Sequence, residues 1–311
     1  MVGALQLCPL SPFLEEGLRQ RFDMVRWFEL GDAERNALLQ TRAGEVVAVI
    51  TGGHIGCPSA LIQALPSLGV IAINGVGYDK VDLELARRQG VRVTTTPGTL
   101  TEDVADLAVG LIIALLRQIP AGDAHIRAGA WPTAERPLAH KVSGRRFGVL
   151  GLGAIGDAIA ARLAPFGPVA YTSRTRKPVP YDFHADVAAL ARASDVLVVA
   201  CSANETTRRL VNQAVLEALG PHGWLVNVSR GSVVDEAALV RALETGRIAG
   251  AALDVFESEP HLPEPLRTSP KVVLTPHIAS ATAETRQAMA ELVLSNLDAF
   301  LRGERPPASV I

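Results

Sequence analysis

With 311 residues, 48% of them hydrophobic, and a formal net charge of −2 at pH 7, the chain can fill two domain cores on a prior of ~150 residues each. The near-balanced charge leaves no basic stripe for nucleic acid or an anionic membrane, and the longest apolar run, 107–116, is too short to span a bilayer. Cys8, Cys57 and Cys201 are odd in number and scattered. They point to a reducing compartment and not to a disulfide framework. No basic segment precedes the first apolar residues, so the N-terminus does not read as a signal peptide and a cytoplasmic location is expected. Without C-x-x-C or H-E-x-x-H, no metal site is expected.

In chain order, short apolar runs at 4–7, 24–28, 46–51, 70–73 and 91–95 are separated by helix-compatible segments such as 59–65 and 81–89. That alternation predicts a parallel β/α domain. Thr101-Glu102-Asp103 reads as a helix start, with acids favoured at the N-terminal dipole. The helix presents Val104, Leu107, Ala108, Leu111, Ile112, Leu115 and Leu116 on one broad face and is expected to end near Pro120. A second series follows Arg146, with six strands at 147–150, 169–171, 196–200, 225–228, 249–253 and 272–275, which fits a doubly wound sheet. A last helix, 283–301, is expected to return to the first domain, making that domain discontinuous. The domains are expected at 1–98 with 285–311, and at 99–284, in an α/β fold.

The run before Gly151-Leu152-Gly153-Ala154-Ile155-Gly156 is a strand, and an alanine-rich helix, 158–166, follows. Gly151 permits a tight turn, Gly153 lets a pyrophosphate approach the backbone, and Gly156 lets helix and strand pack closely. After the next strand a carboxylate would hold a ribose 2′-hydroxyl. The chain instead reads Ser173-Arg174-Thr175-Arg176-Lys177. Two arginines can fork onto a 2′-phosphate that a carboxylate would repel, so NADP(H) is the expected cofactor.

Three motifs then follow strands of the second series. Arg230, after Val226-Asn227-Val228-Ser229, can hold a carboxylate in a fork and polarise a carbonyl, or can pair with Asp235 or Glu236 on the surface. Asp254-Val255-Phe256-Glu257-Ser258-Glu259 supplies three carboxylates, and Thr275-Pro276-His277 places a histidine just past a strand. Of seven histidines, His54 also follows a strand, so spacing alone leaves both open.

These motifs in this order, with Asn74-Gly75-Val76-Gly77-Tyr78-Asp79 and 94–108, resemble the D-isomer-specific 2-hydroxyacid dehydrogenases over essentially the whole chain, and within them the NADP-preferring glyoxylate/hydroxypyruvate reductases. The resemblance implies a Rossmann cofactor domain beside a flavodoxin-like substrate domain. It implies Arg230, Glu259 and His277 as catalytic residues: Arg230 on the 2-oxoacid, His277 as proton donor, and Glu259, not Glu257, as its partner. Substrate contacts are implied at Val76, Gly77, Arg230 and Trp131, with Trp131 reaching a partner subunit's site in a homodimer. Dinucleotide contacts are implied at Gly151, Gly153, Ala154, Ile155, Gly156, Ser173, Arg174, Thr175, Arg176, Ser202, Val228, Asp254, His277 and Ser280, with Asp254 facing the nicotinamide carboxamide. The chemistry agrees: an unperturbed histidine titrates near ~6.5, which suits proton donation at neutral pH, and a nearby carboxylate favours imidazolium. Small 2-oxoacids such as glyoxylate and hydroxypyruvate are the expected substrates. Bulkier 2-oxoacids, such as hydroxyphenylpyruvate or keto-sugar acids, are the alternative, and a dinucleotide-sensing corepressor-like binding protein is the reading from another class.

Overall fold

The computed structural model describes residues 1–311. The chain divides into two compact units, Met1–Leu100 with Ala281–Ile311, and Thr101–Ser280.

The first unit contains β1 (Val2–Gln6), α1 (Pro12–Arg19), β2 (Phe22–Arg26), α2 (Asp32–Thr41), β3 (Val46–Gly52), α3 (Ser59–Ala64), β4 (Val70–Asn74), α4 (Leu83–Arg88) and β5 (Arg92–Thr94). All strand pairs are parallel, in the order β2-β1-β3-β4-β5, the flavodoxin-like arrangement. Side-chain alternation sorts the strands' apolar residues onto two faces. Leu5, Val49, Ile71 and Val93 pack with Leu61, Ile62 and Leu85 of the helices on one side. Ala4, Ile50, Val70 and Ala72 pack with Leu14 and Leu18 on the other. That second face is completed by a helix from the far end of the chain, Ala283–Leu301, which contributes Ala290, Val293 and Leu297. Arg21 clamps it, its guanidinium donating to both oxygens of Asp298 at 2.6 and 2.8 Å.

The second unit opens with α5 (Thr101–Leu116) and α6 (Ile119–Arg127). It continues through β6 (Phe147–Leu150), α7 (Ala154–Leu163), β7 (Val169–Thr172), β8 (Asp182–Phe183), α8 (Val187–Ala193), β9 (Val196–Val199) and α9 (Gln213–Leu219). It ends with β10 (Trp224–Asn227), α10 (Glu236–Glu244), β11 (Gly250–Leu253), α11 (Glu264–Thr268) and β12 (Val272–Leu274); α12 (Ala283–Leu301) is the helix already placed in the first unit. Its seven parallel strands run β12-β11-β10-β9-β6-β7-β8. The order reverses between β6 and β9, which makes this a doubly wound Rossmann sheet with its ligand-binding edge at the strands' C-terminal ends. All four residues of β6, β9, β10 and β11 are buried, as expected of strands covered by helices on both faces. No single helix is long and apolar enough to cross a membrane.

Four details depart from the sequence expectation. The second sheet has seven strands, not six, because β8 is a two-residue edge strand, too short to show a period. The helix after the glycine turn starts at Ala154, capped by Gly153, not at 158, since the turn itself is its first turn. Pro120 does not end α5. The helix stops at Leu116, Gln118 takes φ 53, and Pro120 sits in the first turn of α6, where its missing N–H costs nothing. In the first unit, β2 runs two residues earlier than expected because Trp27–Glu29 forms a 3₁₀ turn.

Candidate active site

Three neighbouring strands of the second unit, β10, β11 and β12, each end in one of the motifs. Adjacent parallel strands lie ~4.8 Å apart, so their C-terminal loops must meet. After β10, the buried Asn227 shapes the turn. Its Oδ1 accepts from the Ser229 N–H at 3.0 Å and the Ser229 hydroxyl at 3.2 Å, and its Nδ2 donates to the Arg230 carbonyl at 3.0 Å. Arg230 follows in extended conformation, φ −142 and ψ 145, with its side chain half-buried. Gly231 lets this turn press onto the loop after β11: a Cβ there would lie 1.9 Å from the Phe256 carbonyl carbon.

In that loop Glu259 is held at both oxygens. Oε1 accepts from the Phe256 N–H at 3.0 Å, and Oε2 lies 2.7 Å from Nδ1 of His277. With Nδ1 donating to the carboxylate, Nε2 is the nitrogen left for chemistry. The side chains of His277 and Glu259 are 31% and 24% exposed, so the pair is sheltered but reachable. Burial pushes the Glu259 carboxyl up, but the His277 hydrogen bond, the Phe256 amide and the positive charges of His277 and Arg230 outweigh it and hold the group below the usual carboxylate range. Glu257 is engaged elsewhere, accepting from Arg209 at 2.9 Å. His277 itself sits in the left-handed region, φ 54, between loop bonds to Asp254, which is fully buried.

The glycine turn lies after β6. Gly151 has φ +97 and backs against Cys201, and a Cβ on Gly156 would lie 1.9 Å from the Gly151 carbonyl oxygen, so neither position admits a side chain. Gly153 and Ala154 are exposed at the start of α7, Ile155 is half-buried, and Gly156 is buried. After β7, Arg174, Thr175 and Arg176 are exposed, and the Ser173 hydroxyl donates to the Thr175 carbonyl at 2.6 Å. The buried Tyr171 anchors this basic loop: its hydroxyl donates to the Lys177 carbonyl at 3.2 Å and accepts from the Lys177 N–H at 2.7 Å. Val228 is buried, Ser202 exposed and Ser280 half-buried, each just beyond a strand of the same sheet. Val76 and Gly77 belong to the other unit, in the half-buried loop after β4. Trp131 lies beyond α6 and is 72% exposed. His54 also lies in the first unit, where its ring covers Gly52.

The structure thus brings together Arg230, Glu259, His277 and Asp254. It adds residues that the motifs alone did not single out: Asn227 and Gly231, which aim the Arg230 turn, Thr275, bound to Asp254, and Tyr171. Each is a polar or small residue at or within four residues of a strand's C-terminal end, or the last aromatic of a strand, which is the signal that marks them.

Residues 109–279 match the model of the NAD-binding domain of D-isomer-specific 2-hydroxyacid dehydrogenases. The chain belongs to the D-isomer-specific 2-hydroxyacid dehydrogenase family. Within the family it is 47% identical over 305 residues to a glyoxylate/hydroxypyruvate reductase of Arabidopsis thaliana, covering 97% of each chain. It is 46% identical to hydroxyphenylpyruvate reductase of Plectranthus scutellarioides, again over 97% of each. Among solved structures, the NADPH-dependent glyoxylate/hydroxypyruvate reductase of Sinorhizobium meliloti, in complex with NADP and malonate, superposes with a TM-score of 0.93 at 43% identity, over 99% of this chain and 96% of that one. As a dehydrogenase of this family, the chain carries its candidate site on the sheet edge where open α/β folds bind ligands.

Proposed function

We propose that this dehydrogenase reduces small 2-oxoacids, glyoxylate and hydroxypyruvate, to D-2-hydroxyacids with NADPH. The observation that carries the reading is the His277–Glu259 pair, 2.7 Å apart, with the positive charge of Arg230 acting on Glu259. The names of the Arabidopsis and Sinorhizobium relatives support the substrate class. In this reading the second unit is the cofactor domain and the first the substrate domain.

The residues present suit the dinucleotide. The α7 N-terminus, with Gly153 and Ala154 exposed, suits a pyrophosphate, and Arg174 and Arg176 suit a 2′-phosphate. NADPH supplies the hydride for the carbonyl carbon. Arg230 binds the carboxylate and draws charge onto the carbonyl oxygen. His277 gives that oxygen a proton from Nε2, and Glu259, bound to Nδ1, fixes the ring's orientation.

The test is steady-state oxidation of NADPH and NADH with glyoxylate, hydroxypyruvate and hydroxyphenylpyruvate. The first two substrates with NADPH should be fastest. Arg174→Ala with Arg176→Ala should raise the KM for NADPH by ~10–100-fold, the loss of one charge-assisted contact or more, and leave NADH unaffected. Equal use of both cofactors by the unaltered protein is the result that defeats the NADP reading.

We also propose a cytoplasmic homodimer built on the α5–α6 arm. Three free cysteines suit a reducing compartment. Ile119, Ile126, Trp131 and Leu138 are 52%, 57%, 72% and 93% exposed, an apolar series costly to leave in water. Leu138→Asp with Trp131→Ala should shift the sedimentation coefficient from dimer to monomer; an unchanged value would reject this interface.

A further inference from the structure

We infer that Glu236 is a positioning residue: its carboxylate holds the turn that presents Glu259 to His277. This rests on the reading of Glu259 and His277 as a catalytic pair.

Glu259 lies well beyond Leu253, the last residue of β11, on a stretch of chain that no strand ladder fixes. The turn that carries it needs anchors, and two converge on the Phe256–Glu257 peptide. Gly231 lies against one side: a Cβ there would stand 1.9 Å from the Phe256 carbonyl carbon and 2.3 Å from the Glu257 nitrogen. The Glu257 N–H, shut in by that approach, donates to Oε2 of Glu236 at 3.2 Å. A sheltered amide without an acceptor is costly, so this bond fixes where the peptide sits. Consecutive amides of the turn therefore end on carboxylates, Phe256 on Glu259 and Glu257 on Glu236.

The helix that bears Glu236 makes no such demand on it. Glu236 is the first residue of α10, and the helix is capped by Asp235, whose side chain accepts from the Ala238 N–H at 2.9 Å. An acid in the first turn favours any helix, and that role asks for no particular reach. The bond from Glu236 instead spans 21 positions to the loop after β11.

Electrostatics also set Glu236 apart from a plain surface acid. Burial pushes its carboxyl above the usual carboxylate range, against the pull of the Glu257 amide, and the negative charge of Glu257 adds to the rise. The neighbouring arginines serve Glu257, Arg209 at 2.9 Å and Arg208 at 3.9 Å, while the positive charges acting on Glu259 are His277 and Arg230. What the place asks of residue 236 is an acceptor oxygen at the right reach, and not a charge.

Two substitutions separate reach from charge. Glu236→Gln keeps the length and an acceptor oxygen and removes the charge. Glu236→Asp keeps the charge and the acid at the helix start but falls one methylene short of the Glu257 amide. Three quantities are read in the intact protein: kcat with glyoxylate, the dissociation constant of NADPH by fluorescence titration, and the NMR signal of the His277 Nδ1 proton that binds Glu259. The expected result for Glu236→Asp is a kcat lowered by ~10-fold, about one hydrogen bond lost, a displaced Nδ1 signal, and NADPH affinity within ~twofold of the unaltered protein. Glu236→Gln should hold kcat within ~twofold and leave the signal in place. A signal unmoved in Glu236→Asp overturns the inference. So does a signal displaced in Glu236→Gln, which carries the test if the aspartate variant does not fold, and so does NADPH affinity falling as far as kcat. A displaced signal with unchanged kcat in Glu236→Asp supports the positioning and tells against the catalytic reading of the pair, so the two failures are distinguishable.

Discussion

His277→Ala is expected to lower kcat for glyoxylate and hydroxypyruvate by ~10²–10⁴-fold, the range of general acid catalysis by a placed side chain. The imidazole is the only ring in the second unit's strand-end loops that pairs with a carboxylate, Nδ1 to Glu259 at 2.7 Å. In the proposed mechanism its removal leaves the developing oxyanion without a proton source, while the Arg230 charge and the turns after β6 and β7 proposed for the dinucleotide stay in place. NADPH binding should therefore persist, which separates a chemical defect from a folding one. The pH dependence has a definite sign. Glu259 is held below the usual carboxylate value, near ~4.3 for a model peptide. Its pairing with His277 is thus fully present above that value and is lost only as pH falls through the lower folded value. The acid loss of activity due to Glu259 should lie below pH ~4.3, and a kcat profile over the acid range checks it. Near wild-type turnover of His277→Ala at neutral pH would remove the histidine from the mechanism.

Arg230→Lys should be nearly as severe, with kcat/KM for the 2-oxoacid falling by ~10²–10³-fold, as for a lost oxyanion donor. Charge is conserved in this change, so the prediction rests on geometry. A guanidinium presents a planar fork that can meet a carboxylate while pointing another N–H at the neighbouring carbonyl; an ammonium is a point charge that cannot do both. The turn is also built to aim a long, rigid head. Asn227 holds the Arg230 carbonyl, and Gly231 brings the strand end against Phe256. KM for NADPH should change little, because Arg230 lies on the β10 loop and the basic loop proposed to hold the cofactor lies after β7. A lysine variant with intact kcat/KM would show that charge alone suffices.

Much of the fold is legible in the residues. The strands of the second sheet lie within a residue or so of the apolar runs, because parallel strands covered on both faces must be apolar throughout. β8 escapes because two residues carry no period, and the α5–α6 break escapes because proline permits a new helix as readily as it ends an old one. The glycine turn is legible because its constraint is local: Gly151 and Gly156 are fixed by backbone approaches within their own strand–turn–helix unit and to the next strand's end.

The candidate site is legible by chemical type more than by contact. Composition displays the Arg174–Arg176 loop, but only Tyr171, through its hydroxyl on Lys177, explains how that loop is ordered. Between Glu257 and Glu259, two residues apart, no local rule chooses; the fold turns one to Arg209 and the other to His277. Asp254 is one carboxylate among three in its motif until the sheet seats β12 beside β11 and fills its oxygens from Thr275, Ile278 and Ala279. Residue order specified the strands, the dinucleotide turn and the reactive groups, since these depend on neighbours along the chain. Partnership among those groups was set by strand adjacency, because hydrogen bonds between residues 18 to 25 positions apart depend on which strand lies next to which, and side chains within one segment do not specify that.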